Sequence, residues 1–250
     1  MKKLTFLLIA FSCVFASCHS HKKGPMIVKF KDATDFPTAS IAMTSPTPGS
    51  LISSGGKVHF GFNVVNYQLT AQTDTAMKTC ANSAQGQHIH FILNDKPYTA
   101  LYKPERDTAL ADGHYVCMAF LSRSYHESIK HQSAYALSQF DIGSKKGDSV
   151  DLTKPLLIYS RPKGVYKGKD TKKILLDFYL VNADLSETGN KVIVTLNGTV
   201  SDTLKEWTGY LIKGLPMGEN AIKLELVDKD GKLIPGPYNS VERKFILEDK

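Results

Sequence analysis

The chain contains no apolar run long enough to cross a bilayer as a helix. Its longest run, residues 4–15, spans 12 residues, whereas a membrane-spanning helix needs about 20. Long stretches of helical periodicity are also missing, as are a serine nucleophile elbow, a phosphate-binding glycine loop and a Cys-His enzyme signature. These absences disfavour an integral membrane protein and the common enzyme classes, and a hydrolase is only a distant alternative.

Charge of one sign is only mildly in excess. The 250 residues contain 31 Lys and Arg against 24 Asp and Glu, for a formal net charge of +7. The surplus is spread along the chain, with no basic stripe interleaved with aromatic residues, so we expect no nucleic-acid partner. The length suits two domains of ordinary size better than one.

The first residues have the pattern of a secretory signal peptide. Lys2 and Lys3 supply a positively charged start, and the 12-residue apolar run follows them. A segment of this kind is removed from the mature protein. We therefore predict a cleaved signal peptide at residues 1–17.

The predicted cleavage point, Phe15-Ala16-Ser17-Cys18, resembles the lipobox of bacterial lipoproteins. In that family the cysteine thiol is diacylated, cleavage occurs just before it, and the new amino terminus is acylated. The resemblance implies lipidation at Cys18 with acyl chains such as palmitate, a lipidated tether at residues 18–25 and a cell-envelope lipoprotein held in the membrane. His19 stands where an Asp retains lipoproteins at the inner membrane, which implies the outer membrane.

Four cysteines are present. Cys13 leaves with the signal peptide, and Cys18 is the predicted lipidation site. Cys80 and Cys117 remain, in an oxidising compartment where disulfides persist. We expect these two to form a disulfide bond.

Short runs of alternating apolar and polar residues dominate the mature chain. Gly, Pro, Asn and Asp punctuate them, a pattern typical of an all-β sandwich. The predicted strands lie at 57–62, 88–93, 115–121, 174–181, 191–196, 221–227 and 243–247.

The two halves of the chain can be laid over each other. Residues 88–95 match 191–198 at an offset of 103, and residues 110–121 match 215–226 at an offset of 105. Order and spacing are kept, and each copy has about the 100 residues of an immunoglobulin-like sandwich. The overlay predicts a duplicated domain.

The second half resembles the immunoglobulin-like modules of secreted bacterial proteins. The residues that carry this resemblance are 207–210, Leu215-Pro216-Met217-Gly218 and 222–228. The fold it implies is all-β, with two tandem immunoglobulin-like sandwiches. The predicted segments are a histidine-rich sandwich at 26–143, a linker at 144–154 and a second sandwich at 155–250.

Histidine is confined to one of the two copies. Outside the signal and tether, all six histidines lie between residues 59 and 131. In the overlay Ile89, Phe91 and Leu93 match apolar residues and should face the core. His88 and His90 fall on the other face, so they are additions to the first copy rather than inherited core residues.

A histidine pair two residues apart on a strand projects to one side, about 7 Å apart. Imidazole is the commonest protein ligand for transition metals. We therefore predict a metal site formed by His88, His90, His114 and His126, holding copper or zinc. Cys80, Cys117 and Met118 would offer softer ligands to copper.

An alternative assigns the same region to a partner rather than a metal. Arg123, Ser124, His126 and Glu127 would then form a surface that binds an anion, an envelope protein, a peptide or a glycan. The first domain also resembles histidine-rich exported domains of unknown function, through His88-x-His90 and Leu110-x-x-Gly113-His114. Either way the sequence predicts a non-catalytic binding protein.

Overall fold

The fold was derived from a computed structural model that describes residues 24–29, 35–74, 80–144 and 147–250. The predicted signal peptide at 1–17 and Cys18 lie outside the described residues. Regular structure in these ranges is β-strand apart from two short 3-10 turns, Gln132–Ala134 and Gly168–Lys172. No helix within the described ranges has the length and apolar character that crossing a membrane requires.

The strands of the first sandwich are β2 (Ser40–Ser45), β3 (Leu51–Ile52), β4 (Lys57–Val65), β5 (His88–Leu93), β6 (Thr99–Leu101), β7 (Glu105–Ala109), β8 (Gly113–Ser122) and β9 (Tyr135–Ile142). They form a three-stranded sheet, in the order β2-β4-β7, and a five-stranded sheet, in the order β3-β9-β8-β5-β6.

The strands of the second sandwich are β1 (Met26–Lys29), β10 (Leu156–Arg161), β11 (Gly164–Lys167), β12 (Ile174–Val181), β13 (Lys191–Leu196), β14 (Thr199–Leu204), β15 (Tyr210–Lys213), β16 (Gly218–Val227) and β17 (Ser240–Glu248). They form a four-stranded sheet, in the order β1-β15-β12-β10, and a five-stranded sheet, in the order β11-β17-β16-β13-β14. The predicted fold class, two tandem immunoglobulin-like β-sandwiches, is confirmed.

The five-stranded sheets of the two sandwiches repeat each other strand by strand. His88 pairs with Ser122 between β5 and β8, and Lys191 pairs with Val227 between β13 and β16. These partners are related by the same offsets, 103 and 105, that align the sequences. In both sheets the short first strand runs parallel to the last one. The register of the structure thus supports a duplicated unit.

Each sandwich has its own core, built by alternation along the strands. Ile89 and Phe91 of β5 lie in the first core, as predicted, and Leu93 packs against it. Val192, Val194 and Leu196 fill the matching positions of the second core. Because successive side chains of a strand point to opposite faces, His88 and His90 must face away from the first core.

That opposite face is covered by the other sandwich. β10 and β12 are buried along their whole length, and β5 along all but its last residue. Strands that are buried on both faces lose the alternation of a half-exposed strand. The contact forms a third apolar cluster with residues from both sandwiches: Ile92, Tyr98, Val116, Met118, Phe120, Leu156, Ile158, Tyr179, Val181 and Tyr238.

Strand β1 departs from the predicted domain boundary. The prediction starts the first domain at residue 26, whereas Met26–Lys29 pairs antiparallel with β15 of the second sandwich. Ile27 packs against the core of that sandwich. The strand therefore completes the edge of a sheet whose other strands come more than a hundred residues later.

The predicted disulfide between Cys80 and Cys117 is absent from the structure, where both are free, buried thiols. Cys117 lies in the core of the first sandwich, whereas Cys80 packs in a separate small cluster with Tyr125 and Leu211. Burial raises the pKa of both thiols, that of Cys80 to about 11. Since each side chain occupies a different cluster, the fold does not bring the two together.

Candidate metal centre

Three histidine rings meet at the seam between the sandwiches. His88 and His90 project from β5, and both are fully buried. Their Nε2 atoms lie 3.0 Å apart. His126 brings its Nδ1 to 3.1 Å from His88 Nε2, and the three candidate ligand atoms lie within 4.8 Å of one another.

His126 comes from the tight turn that follows β8. The turn is closed by hydrogen bonds from the His126 amide to the Arg123 carbonyl and from the Arg123 amide to the Glu127 carbonyl, both at 2.9 Å. His126 has φ of +73°, in the left-handed region that non-glycine residues seldom adopt. This conformation aims the ring at β5, and its partial exposure places His126 at the mouth of the cluster.

The far side of the His88 ring is fixed by the backbone. His88 Nδ1 lies 2.8 Å from the Gly86 carbonyl, and because a carbonyl only accepts, Nδ1 carries the proton and Nε2 carries a lone pair. Gly86 has φ of +84°, and a Cβ there would stand 2.3 Å from the Thr70 carbonyl oxygen. Only glycine therefore fits the position that orients His88.

His90 is held by the second sandwich. Its Nδ1 lies 3.1 Å from Ser160 Oγ at the end of β10. Tyr98 stacks on the ring, with centroids 3.5 Å apart and an interplanar angle of 9°. The Tyr98 hydroxyl lies 3.2 Å from His126 Nδ1, so this one side chain closes the cluster from the side.

The environment keeps all three imidazoles neutral. Burial, together with the charges of Arg161 and Lys163, lowers the pKa of His88 to about 4. Burial also holds the pKa values of His90 and His126 well below the ordinary range. Neutral imidazole is the form that binds a metal, so the ligands are available at any pH near neutrality.

Of the four predicted metal ligands the structure brings together His88, His90 and His126 but not His114. His114 lies near the start of β8, opposite Asp141, and its ring hydrogen-bonds with Asp141 at 2.9 Å and Gln139 at 3.1 Å. The residue of β8 that pairs with His88 is Ser122, eight residues further on, or about 26 Å along the strand. The prediction chose the correct strand, β8, but the register of β8 against β5 places His114 at the end of the strand that is distant from His88.

The alternative ligand surface is also not formed. Arg123, Ser124 and Glu127 are buried. Arg123 and Glu127 pair with each other at 3.4 Å, and Ser124 exchanges hydrogen bonds with Thr73. These residues brace the turn that carries His126, and they leave no exposed surface for a partner.

Sequence reasoning missed Tyr98 and Ser160. Tyr98 lies in the connection just before β6, where nothing in the alternation marks it. Ser160 belongs to the other sandwich, 70 residues from its partner His90. The sequence signal in β10 is the unbroken apolar run at 156–159, which is typical of a strand buried on both faces, but only the docked structure shows what covers it.

No protein-family model matches the chain, and no curated protein matches it. Among solved structures, the fibronectin(III)-like modules of Clostridium thermocellum CbhA align over 84% of this chain and 94% of theirs, at 15% identity and a TM-score of 0.30. SGBP-B of a Bacteroides ovatus mixed-linkage glucan utilization locus, in complex with a mixed-linkage heptasaccharide, aligns over 89% of this chain and 47% of its own, at 13% identity and a TM-score of 0.25. Likenesses at these scores carry no argument about activity.

Proposed function

We propose that the protein binds a transition metal ion, copper before zinc, through His88, His90 and His126. The observation that carries the proposal is the convergence of three neutral imidazole nitrogens, with His88 Nε2 lying 3.0 Å and 3.1 Å from the other two. This is a binding role and involves no catalytic step.

The spacing of the nitrogens fits a shared metal. With metal–nitrogen bonds of about 2.0–2.1 Å, neighbouring ligands of a tetrahedral ion lie roughly 3.3 Å apart, and neighbouring ligands of a square-planar ion roughly 2.9 Å apart. The two separations from His88 Nε2, 3.0 Å and 3.1 Å, fall between these values, and all three nitrogens lie within 4.8 Å of one another. Copper(II) binds nitrogen sites more tightly than zinc does, which favours copper as the ion.

The outer contacts also follow the pattern of metal sites. A metal-binding histidine usually directs its second ring nitrogen to a carbonyl or another polar group, which fixes the ring and its tautomer. His88 does so through the Gly86 carbonyl, and His90 through Ser160. The partial exposure of His126 provides an entry for the ion.

The test is a calorimetric titration of the metal-free protein with Cu²⁺ and with Zn²⁺, against a competing chelator. We expect one ion per chain and a saturable rise in melting temperature, because a ligand that binds only the native state stabilises it by about 2.7 kcal/mol at 100 times its Kd. His90→Gln should abolish both effects, whereas His59→Ala, which removes an exposed histidine paired with Asp107, should change neither. Equal binding in His90→Gln would refute the site.

In the same proposal the protein binds the metal at the cell envelope, where a lipid on Cys18 anchors it to the membrane. The support is the lipobox-like pattern before that residue. Detergent partitioning of the protein and of Cys18→Ser tests this part separately, because metal binding should be the same in both. A membrane fraction that retains Cys18→Ser as well as the unmodified protein would argue against the anchor.

A further inference from the structure

A cavity lies beside the histidines, on the flank of the second sandwich. Its volume is about 500 Å³, within the range of small-molecule sites. Four of its lining residues are basic, and none is acidic. The lining consists of Pro97, Tyr159, Ser160, Arg161, Lys163, Gly164, Val165, Arg243 and Lys244. We call this cavity the basic pocket.

Two of the four cations already have partners. Arg243 pairs with Asp95 of the first sandwich. Lys244 pairs with Glu219 at 2.8 Å on the exposed side. Their charges are largely offset by these carboxylates, so the unbalanced charge of the pocket comes from the other two.

Arg161 and Lys163 have no counter-charge. Within the described part of the chain no carboxylate lies within 4.0 Å of either side chain. Arg161 is buried, its Nη1 donates to Tyr166 Oη at 3.0 Å, and its Nε has no partner at all. Lys163 Nζ donates to the Tyr98 carbonyl at 2.7 Å and stands 3.8 Å from the centroid of that ring.

An arrangement of this kind is costly unless something balances it. A buried charge without a partner destabilises the fold by several kcal/mol, and an unsatisfied buried donor adds to that cost. The aromatic rings of Tyr98 and Tyr166 offset part of it, with the Arg161 guanidinium carbon 5.4 Å and 5.9 Å from their centroids. A ring face carries only a weak partial charge, so the pocket still lacks an anion.

We propose that the basic pocket binds a small molecule through an oxyanion, either a carboxylate or a phosphate, held between Arg161 and Lys163. Guanidinium and ammonium groups side by side are a common way to bind such groups. Tyr159 and Val165 provide an apolar wall for the rest of the ligand.

This inference goes beyond the metal site but adjoins it. Ser160 lines the pocket and also contacts His90, and Tyr98 separates Lys163 from the histidines. A metal dication would add positive charge next to two uncompensated cations. An anion in the pocket would offset that charge, so each ligand should strengthen binding of the other, and the coupling must be reciprocal.

The test uses the whole chain, kept metal-free with a chelator, so that it does not depend on the metal proposal. Inorganic phosphate and malonate are titrated by calorimetry, with chloride at the same ionic strength as the reference. We expect one saturable site for phosphate, malonate or both, and none for chloride. Binding of phosphate alone identifies an organic phosphate as the ligand class, and binding of malonate alone identifies an organic acid.

Two variants make the result specific. Lys163→Gln removes a partly exposed charge from the pocket and should weaken binding at least about tenfold, since a hydrogen bond to a charged group is lost. Lys205→Gln removes the same charge from a site outside the pocket, where Lys205 pairs with Glu187, and should leave the affinity unchanged. No saturable binding, or equal loss in both variants, overturns the proposal.

Discussion

Replacing His126 with glycine should change the metal affinity more than the free energy of unfolding. His126 holds a left-handed backbone, with φ of +73°, which costs a non-glycine residue about 1–2 kcal/mol. His126→Gly relieves that cost. Glycine also has more conformational freedom in the unfolded chain, which lowers the stability of the fold by about 0.4–1 kcal/mol. The variant also loses the contacts of the ring with the Tyr98 hydroxyl and with His88 Nε2, worth about 1 kcal/mol each. The free energy of unfolding of the metal-free protein should therefore fall by no more than about 2 kcal/mol.

Metal affinity should respond very differently. The variant removes one of three ligands, and we expect the Kd for Cu²⁺ to rise at least about 100-fold, which corresponds to about 2.7 kcal/mol. Urea unfolding measures the stability, and chelator competition measures the affinity. His126→Asn is the matched variant, since asparagine also tolerates the left-handed region, and it should lose the metal likewise. A Kd within about threefold of that of the unmodified protein, with the fold intact, would refute the assignment of His126 as a ligand.

Three further outcomes are expected. Because the pKa of His88 is lowered to about 4, the unfolded chain binds a proton that the native protein does not between pH 6.5 and 4. Stability of the metal-free protein should therefore fall by at least about 3 kcal/mol as the pH drops through that window, since the lowered pKa values of His90 and His126 act in the same direction; urea unfolding at a series of pH values measures it, and a flat profile would contradict it. Asp177→Asn should destabilise the protein by about 3 kcal/mol in the same assay, since it leaves the Lys130 ammonium, now 2.6 Å from the carboxylate, without its partner; a loss below about 1 kcal/mol would mean that solvent already screens the pair. Cys80 and Cys117 should both react with an alkylating reagent in the unfolded, unreduced protein and far more slowly in the native one, as mass spectrometry would show. If both thiols are protected in the unfolded, unreduced protein, the two cysteines form a disulfide after all.

The strand residues that face the two cores could be predicted from the alternation of apolar and polar residues and from the repeat in the sequence. Ile89 and Phe91 lie in the first core because a strand alternates its faces, and the repeated offsets carried that assignment to Val192 and Val194. The pattern also put His88 on the opposite face. Local residue pattern decides these features, so the sequence suffices for them.

The candidate metal ligands could be predicted only in part. His114 lies near the start of β8 and His126 lies in the turn that follows it. Choosing between them requires the register of β8 against β5 and the left-handed turn at His126. Ser160 and Tyr98 enter the site only when the sandwiches dock. Contacts between residues far apart in the chain leave no mark on the local pattern, which is why the prediction named a metal site but not its walls.

Strand β1 sets which end of the molecule would face a membrane. Met26 follows Cys18 by eight residues, and a fully extended chain of that length reaches about 28 Å. Since β1 pairs with β15, a lipid on Cys18 would hold the second sandwich against the bilayer, although the first sandwich comes earlier in the chain. The turn that carries His126 would then lie close to the anchored strand, because Tyr125 packs in one cluster with Leu211 of β15 and with Val28 of β1.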